Sequence, residues 1–575
     1  MSRLDVTLGF CEGVLSERSL YRRAASPFLR RLMMLGALGI CMAAPGRAQD
    51  LTDMNRALSG QTVILQRYAP PPQVGSVEIG VEDEREQIDM QKAERISFRL
   101  NSVTVEGGGT LSAANLAAIW QGRIGSQITL AELYRIADAV DAAYLAAGFF
   151  SKTVVPVQDY ADGQIRLRVF EGYVDRIEID SEIPGIDARL APYLQRILAM
   201  HPIRVSDAER ELLLMSDLAG LVIEGTFIRP EGASGGGVLH LEITHDRSSG
   251  MIALDNFGTD AVGPLQLASI LELNDVYRQF ESTNLTGVLT PVDHRQMALI
   301  QFGQSYPVGS SGLIARYNLV YLRQRPGGDL ADLGIDVTSA VATAGLSYPF
   351  VRSLDWNLWG AADVTFRNDD VDVMGEAVSR SRSRWASFSL QYDRSFETGT
   401  FSAQSAFNIG TASDLDVGEV PGDFRFVTGG LEYSHPFGDK TAISFQTMGQ
   451  YSGRELPGAV KLGVGGDPYG FGFDNGTISG DNGLAAAARL SHDFETDMAQ
   501  LPTLSTSLFV DYGKVWHEAP DDGPQTEYLG SYGVGLGGML NERVSFQLAA
   551  TLPWTHSASV DEPGGKLLFQ LVMPL

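Results

Sequence analysis

From Met251 to the C-terminus the chain repeats segments of about ten residues in which apolar and polar side chains alternate, with no 3.6-residue period. Leu313, Ala315, Tyr317, Leu319 and Tyr321 share one face and Arg316 and Asn318 the other. Ala386, Phe388, Leu390 and Tyr392 alternate with Ser387, Ser389 and Gln391; Val544, Phe546 and Leu548 with Ser545 and Gln547; Leu567, Phe569, Leu571 and Met573 with Lys566 and Gln570. Successive side chains of a strand point to opposite faces, so each segment has one face suited to lipid and one suited to a polar lumen. Five such segments precede Gln324, six run from Val337 to Ser452, and five follow a long glycine-rich stretch. Sixteen is even, as closure of an antiparallel membrane barrel requires, and residues 248–575 are expected to form that barrel.

Upstream the period changes. A strand over 97–105, a helix near 112–120, a helix from Ala131 and strands over 149–158 and 164–170 give the order β-α-α-β-β across residues 96–172. The second helix opens on Thr129-Leu-Ala-Glu132, a capping box, carries Leu133, Ile136, Val140, Tyr144 and Ala147 on one face and stops at Gly148. The order recurs over 173–247, with a strand from Tyr173 to Ile179, a helix near 187–200, a helix capped by Ser206-Asp-Ala-Glu209 and strands over 222–229 and 238–244. Two small α+β units in tandem have short open sheet edges, which could accept an extended partner strand or serve only as spacers. Before them, residues 50–67 are expected to form an amphipathic helix, followed by Pro70-Pro71-Pro72 and an acidic tether to about Glu94.

The first 48 residues carry Arg22, Arg23, Arg30 and Arg31, then an apolar run from Leu32 to Ala44, then Gly46-Arg-Ala48 before Gln49. This is the pattern of a secretory signal, too short to span a bilayer, with Gln49 as the expected mature start and a start codon that could lie downstream. Bulky Ile40 before Cys41 argues against a lipoprotein. Both cysteines, Cys11 and Cys41, lie in this leader, so the mature chain has no thiolate for a disulfide or a metal. The net charge of −26, about −30 once the leader is gone, makes nucleic acid a poor partner. Exported, cysteine-free, acidic and without a long apolar helix, the chain fits an outer-membrane β-barrel, and the composition also admits a large soluble periplasmic protein.

Motifs for catalysis are weak. Gly232-Ala-Ser-Gly-Gly236 has the letters of a nucleophile elbow but sits between two strands. Gly533-Val-Gly-Leu-Gly-Gly538 has those of a dinucleotide loop, yet Tyr532, Val534 and Leu536 alternate with glycines, which predicts a barrel strand with room on its lumen side. His240 and His245 lie five apart on a strand and so face opposite ways. Neither an enzyme nor a cofactor is expected.

The most telling segment is Gly463 to Gly483, eight glycines with three aromatics after the eleventh strand. Taken with the leader, the tether helix, the two small units and sixteen strands, it resembles the two-partner secretion transporters, the haemolysin secretion/activation proteins, over essentially all of residues 49–575. Leu254-Asp-Asn-Phe-Gly258, Tyr306-Pro-Val-Gly309, Tyr348-Pro-Phe-Val-Arg352, the loop from Gly465-Gly466 through Gly480-Asp481, and Phe509-Val-Asp-Tyr-Gly513 are similar to that family's markers. The resemblance implies that the small units are POTRA domains in the periplasm and that the N-terminal helix is a plug. It implies a monomeric barrel in the outer membrane of a Gram-negative bacterium, exporting one large unfolded exoprotein without ATP. Periplasmic chaperones and the barrel-assembly machinery would act in biogenesis, although Met573-Pro-Leu575 lacks the terminal aromatic common in such barrels. A barrel-assembly factor of the same superfamily and a passive porin are the alternatives.

The resemblance also implies that loop 453–483 folds into the lumen, with Gly466, Gly470, Phe471, Gly472, Phe473, Asp474, Gly480 and Asp481 forming its motif. Family loops carry an arginine between two glycines that pairs with the aspartate of a Phe-x-Asp strand. Here Phe471 stands in its place, while the wall keeps Phe509, Asp511 and Gly513. Arg489, lumen-facing by parity, is a possible charge partner, but a hairpin centred near Met498 sets Asp511 opposite about residue 485, four residues away or roughly 13 Å. Otherwise Asp511 would accept loop backbone N–H groups or stay in lumen water.

Overall fold

The computed structural model describes residues 77–82, 90–228, 234–259, 261–414, 422–518, 525–541, 543–560 and 564–575. The leader and the expected helix over 50–67 lie outside them. The described chain divides into two compact units, with the boundary in sequence between Asp246 and Arg247.

In the first unit, strand β1 (Val77–Glu82) and the short helix α1 (Met90–Ala93) precede β2 (Ser97–Arg99), β3 (Ser102–Gly107) and α2 (Ala113–Ala117). Then come β4 (Gln127–Thr129), α3 (Leu130–Ala146), β5 (Ser151–Val154) and β6 (Gln164–Glu171). The capping box forms: the Thr129 hydroxyl accepts the Glu132 N–H and the Glu132 carboxylate accepts the Thr129 N–H. Leu133, Ile136, Val140 and Tyr144 on α3 lie buried against Leu100, Ile165 and Leu167 of the sheet face. The sheet order is β3-β6-β5.

The second repeat contains β7 (Tyr173–Asp180), α4 (Ile186–Leu198), α5 (Val205–Ser216), β8 (Leu221–Ile228) and β9 (Gly236–His245). Only Gly172 separates β6 from β7. Its carbonyl accepts the Ile203 N–H, Gly148 O accepts the Val205 N–H, and Phe150 stacks on Phe227 at 5.2 Å, so the repeats are pinned to each other. The box expected at Ser206 does not form: α5 begins at Val205, and its N-cap, Arg204, two residues before Ser206, makes no side-chain cap bond.

The tether also differs from its expectation. Residues 77–82 are a strand, paired in parallel with β8 from Val77 opposite Ile223 to Glu82 opposite Ile228. The sheet order is therefore β1-β8-β9-β7. An edge of unpaired backbone groups recruits any extended segment in reach, and here the chain supplies it.

The barrel strands are β10 (Ser248–Asp255), β11 (Gln266–Asn274), β12 (Ser282–Leu289), β13 (Met297–Val308), β14 (Leu313–Gln324) and β15 (Asp336–Arg352). They continue with β16 (Trp356–Val373), β17 (Glu376–Phe396), β18 (Gly399–Asp414), β19 (Asp423–Phe437) and β20 (Thr441–Tyr451). After β21 (Leu462–Val464) and β22 (Ile478–Gly480), which belong to the long loop, come β23 (Asn482–Glu495), β24 (Thr503–Trp516), β25 (Thr526–Leu540), β26 (Val544–His556) and β27 (Lys566–Pro574). Sixteen antiparallel strands close on themselves, five, six and five in the groups read from the alternation. Gly533–Gly538 is part of β25, and Phe509 on the neighbouring strand places its ring where a Gly533 Cβ would stand, 2.4 Å from that position. Leu319, Phe366, Phe388, Leu390, Val534 and Leu548 are exposed on the outer face, as the alternation requires.

Closure is made by β10 and β27, which pair from Met251–Pro574 to Asp255–Gln570. Asn256 prolongs this short seam with its side chain: Nδ2 donates to Leu567 O at 3.0 Å and Oδ1 accepts the Phe569 N–H at 2.7 Å. An amide here imitates one more peptide unit. Asn256→Ala should lower the unfolding temperature of the detergent-solubilised barrel, at about 1 kcal/mol per lost bond, read as heat-modifiable gel mobility. An unchanged transition would show that the seam does not depend on it.

Candidate functional site: the loop folded into the barrel

Residues 453–483 leave β20 at the barrel end remote from the chain's entry at Ser248. They then pack against inward side chains of the wall. Three apolar clusters hold them. Leu456 and Val460 lie buried with Ala412, Phe424 and Phe426. Val464, Phe473 and Ile478 pack with Ala485, Val515 and Leu529, and Phe471 packs with Phe257, Phe509 and Leu568. Burial of these side chains is what keeps a glycine-rich segment in place.

Glycine is required at two positions. Gly470 has φ +115°, and a Cβ there would lie 2.6 Å from Leu529 Cδ1. On the wall, a Cβ at Gly513 would meet Val464 Cγ1 at 2.3 Å, so the hairpin of β21 and β22 lies directly on the strand backbone. Gly466 N–H closes the turn onto Gly470 O at 2.9 Å, and a Cβ on Gly472 or Gly480 would crowd Ser531 or Val515.

Asp511 is 3 % exposed and sits opposite Ala487 on one side and Ser531 on the other. Its carboxylate accepts the Phe471 N–H at 3.1 Å, the Ser531 N–H at 2.9 Å and the Ser531 hydroxyl at 2.6 Å. Ser531 Oγ in turn accepts the Gly472 N–H at 2.8 Å. Two successive loop amides are thus gripped through one aspartate and one serine. Three donors compensate a carboxylate withdrawn from water.

Phe471 sets its ring edge-to-face on Phe509, with centroids 4.8 Å apart. Arg489, opposite Phe509, ion-pairs with Asp467 of the loop at 3.5 Å and stands over the Phe509 ring at 5.6 Å. The expected polarity is therefore reversed in space: the cation is on the wall and the anion on the loop. The register also corrects the hairpin arithmetic. The turn spans 496–502, closed by Thr496 N–H on Pro502 O, so Asp511 faces Ala487 and Arg489 is two residues along, about 7 Å.

The remaining motif residues fix the loop's tip and root. Asp474 pairs with Lys566 of β27 at 2.8 Å. Phe473 is 2 % exposed in the central cluster. Asp481, fully enclosed, accepts the Leu456 N–H at 2.7 Å and the Glu518 N–H at 3.0 Å and faces Lys461 Nζ at 3.3 Å. Ser531, Lys566 and the Asp467 contact were not singled out in the sequence. Ser531 had a usable signal, since outward Tyr532 makes its neighbour inward, but the pairing with Asp511 needed the register. Lys566 meets Asp474 from β27, a long-range contact that no local pattern encodes.

Among the described residues, a closed sixteen-stranded barrel that holds a long inward loop and follows tandem α+β units defines an outer-membrane transport barrel. Residues 238–538 match the model of the haemolysin secretion/activation protein ShlB/FhaC/HecB, and residues 98–172 that of the ShlB-type POTRA domain. The chain belongs to the haemolysin secretion/activation protein family, the transporters of two-partner secretion. It is 23 % identical over 491 residues to the hemolysin transporter protein ShlB of Serratia marcescens, covering 80 % of this chain and 83 % of the relative. It is 22 % identical to the outer membrane transporter CdiB of Dickeya dadantii, over 74 % and 77 % of the two chains. The fold is also that of CdiB from Escherichia coli, with a TM-score of 0.69 at 18 % identity, over 92 % of this chain and all of that one. The barrel lies in the outer membrane with its POTRA region in the periplasm.

Two outcomes test the docking. Phe471→Ala should weaken it by about 3 kcal/mol, the usual cost of emptying a buried aromatic site, seen as faster hydrogen exchange at amides 471 and 472 with strand amides unchanged. Arg489→Asp should speed exchange in the loop, and adding Asp467→Arg should restore protection. Failure of the swap would show that the ion pair does not contribute.

Proposed function

We propose that this chain exports one large exoprotein, captured unfolded by the periplasmic units and passed through the barrel without ATP. The observation that carries this reading is the β1–β8 pairing, an extended segment already added in register to a domain edge. The same backbone chemistry would receive the partner, with pockets for alternate side chains giving selectivity. The edges β3 and β5 of the first repeat offer further sites, whereas the β8 edge must first lose β1. Once outside, the partner would bury its apolar side chains and pair its backbone, which makes the movement one-way.

In this reading the lumen loop is a working part. Gly466, Gly470, Phe471, Gly472, Phe473 and Asp474 form its docked tip, Gly480 and Asp481 its root, and Phe509, Asp511, Gly513 and Arg489 the receiving wall. The contacts are individually modest and reversible, as a path that must open requires. Residues 50–67, whose sequence pattern is that of an amphipathic helix, would be the plug. The barrel works as a monomer in lipid, with periplasmic chaperones and the assembly machinery needed for its biogenesis.

A strain lacking the chain should lose a single secreted protein and regain it on complementation. Normal secretion together with loss of other outer-membrane barrels would sink this reading in favour of an assembly factor. Deleting residues 465–483 should abolish export while the protein remains membrane-inserted, and undiminished export would remove the loop from the mechanism. Deleting residues 77–82 should strengthen binding of the exoprotein's N-terminal part to the periplasmic region, and weaker binding would mean that β1 is part of the receptor.

A further inference from the structure

The outer face of β14 to β17 changes character abruptly. On β16 the lipid-facing positions run from Trp356 through Leu358 and Val364 to Phe366, ten residues or about 33 Å of strand, which a tilt of about 40° turns into the roughly 25 Å of an apolar band. Opposite Phe366 stands Arg384, and the next outward positions up β17 are Arg382 and Arg380. This end of the strands is the one remote from Ser248 and Pro574, hence the outside of the cell. The arginines stand at the level of the outer leaflet's headgroups.

The row continues sideways. Arg323 on β14 lies in line with Thr338, Asp370 and Arg380 across three strand pairings. Carboxylates are present but too few. Asp336 serves both Arg323, at 2.5 Å, and Arg325, at 2.8 Å. Asp370 pairs with Arg382 at 2.6 Å and Asp372 with Arg380 at 2.9 Å. In this row five guanidiniums face three carboxylates, with Glu376 exposed at the tip of β17 beyond it, in a chain with 44 basic and 70 acidic residues. On β19, Asp423 and Arg425 add one charge of each sign.

Arg384 is the unmatched member nearest the lipid. It lies over the Phe366 ring at 5.4 Å and donates to three neutral oxygens, Arg367 O, Ser383 O and Asn368 Oδ1. A guanidinium has five N–H donors in a planar fork suited to phosphate. Arg380 Nη1, covered by its neighbours, makes no hydrogen bond. Excess arginine held rigidly at the top of an apolar band fits a phosphate attached to acyl chains, because the chains lie on Phe366 and Phe388 while the phosphate meets the fork above them.

We infer that the outward arginine row of β16 and β17, centred on Arg384, Arg382 and Arg380, binds the phosphorylated glycolipid of the outer leaflet. Native mass spectrometry of the purified full-length protein in detergent, titrated with bisphosphorylated lipid A, tests this. The wild-type protein should hold one lipid A, and Arg382→Gln/Arg384→Gln should bind it about tenfold more weakly while keeping wild-type heat-modifiable mobility. Arg384→Lys should retain part of the affinity. Arg394→Gln, at the other end of the same strand face, should bind normally. Dephosphorylated lipid A should bind weakly, and inorganic phosphate at equal concentration should not displace the lipid. If the row is only an interstrand ion-pair ladder, the double variant binds lipid A as the wild type does and Asp370→Asn/Asp372→Asn unfolds earlier without binding it more tightly; that result overturns the proposal. So does equal binding of the dephosphorylated lipid, or displacement by phosphate, which would mark a soluble-anion site.

Discussion

In a hydrocarbon layer every backbone N–H and C=O must find its partner inside the protein, and this requirement governs the whole second half of the chain. It forces the sixteen strands to close, and so makes the short β10–β27 seam the place where the ring is thinnest. An amide side chain at Asn256 adds two bonds there, beside the one its own backbone N–H donates to Phe569 O. Closure also creates an interior wide enough to need filling, and the loop between β20 and β23 fills part of it. The alternation that suits the outer face to lipid delivers Asp511, Arg489 and Ser531 to the inner one.

The loop's attachment divides the labour between chemistry that is non-directional and chemistry that is not. Three apolar clusters supply most of the holding energy and would tolerate small shifts. The two amides at 471 and 472, received by Asp511 and Ser531, set the position along the wall. The Arg489–Asp467 pair orients the turn before them. In a confined, partly dry lumen such polar contacts count for more than they would on a surface, and they are lost together once water enters.

The barrel was legible because its signal is a period repeated sixteen times, so errors at single segments average out. The two α+β units were legible through caps and stripes such as Thr129-Glu132 and the α3 face. Legibility failed where one element's state depends on another. The Ser206 box has the right letters, yet α5 starts at Val205 with Arg204 as its cap. Residues 77–82 carry weak alternation and become a strand only because β8 offers an edge. For the loop, glycines and position were readable, but the sequence of one strand cannot say which residue on the next it will face. A two-residue error in the 496–502 turn was enough to misplace Arg489 relative to Asp511.

The way Asp511 receives Phe471 has a consequence for how such chains diverge. A wall that grips peptide amides is indifferent to the polarity of the residue that carries them. A cation at position 471 could be replaced by an aromatic ring once Phe509 lay beside it and a compensating pair formed at 489 and 467. The geometry of the lock therefore constrains where the 471 amide lies more tightly than it constrains the charge of the side chain beside it.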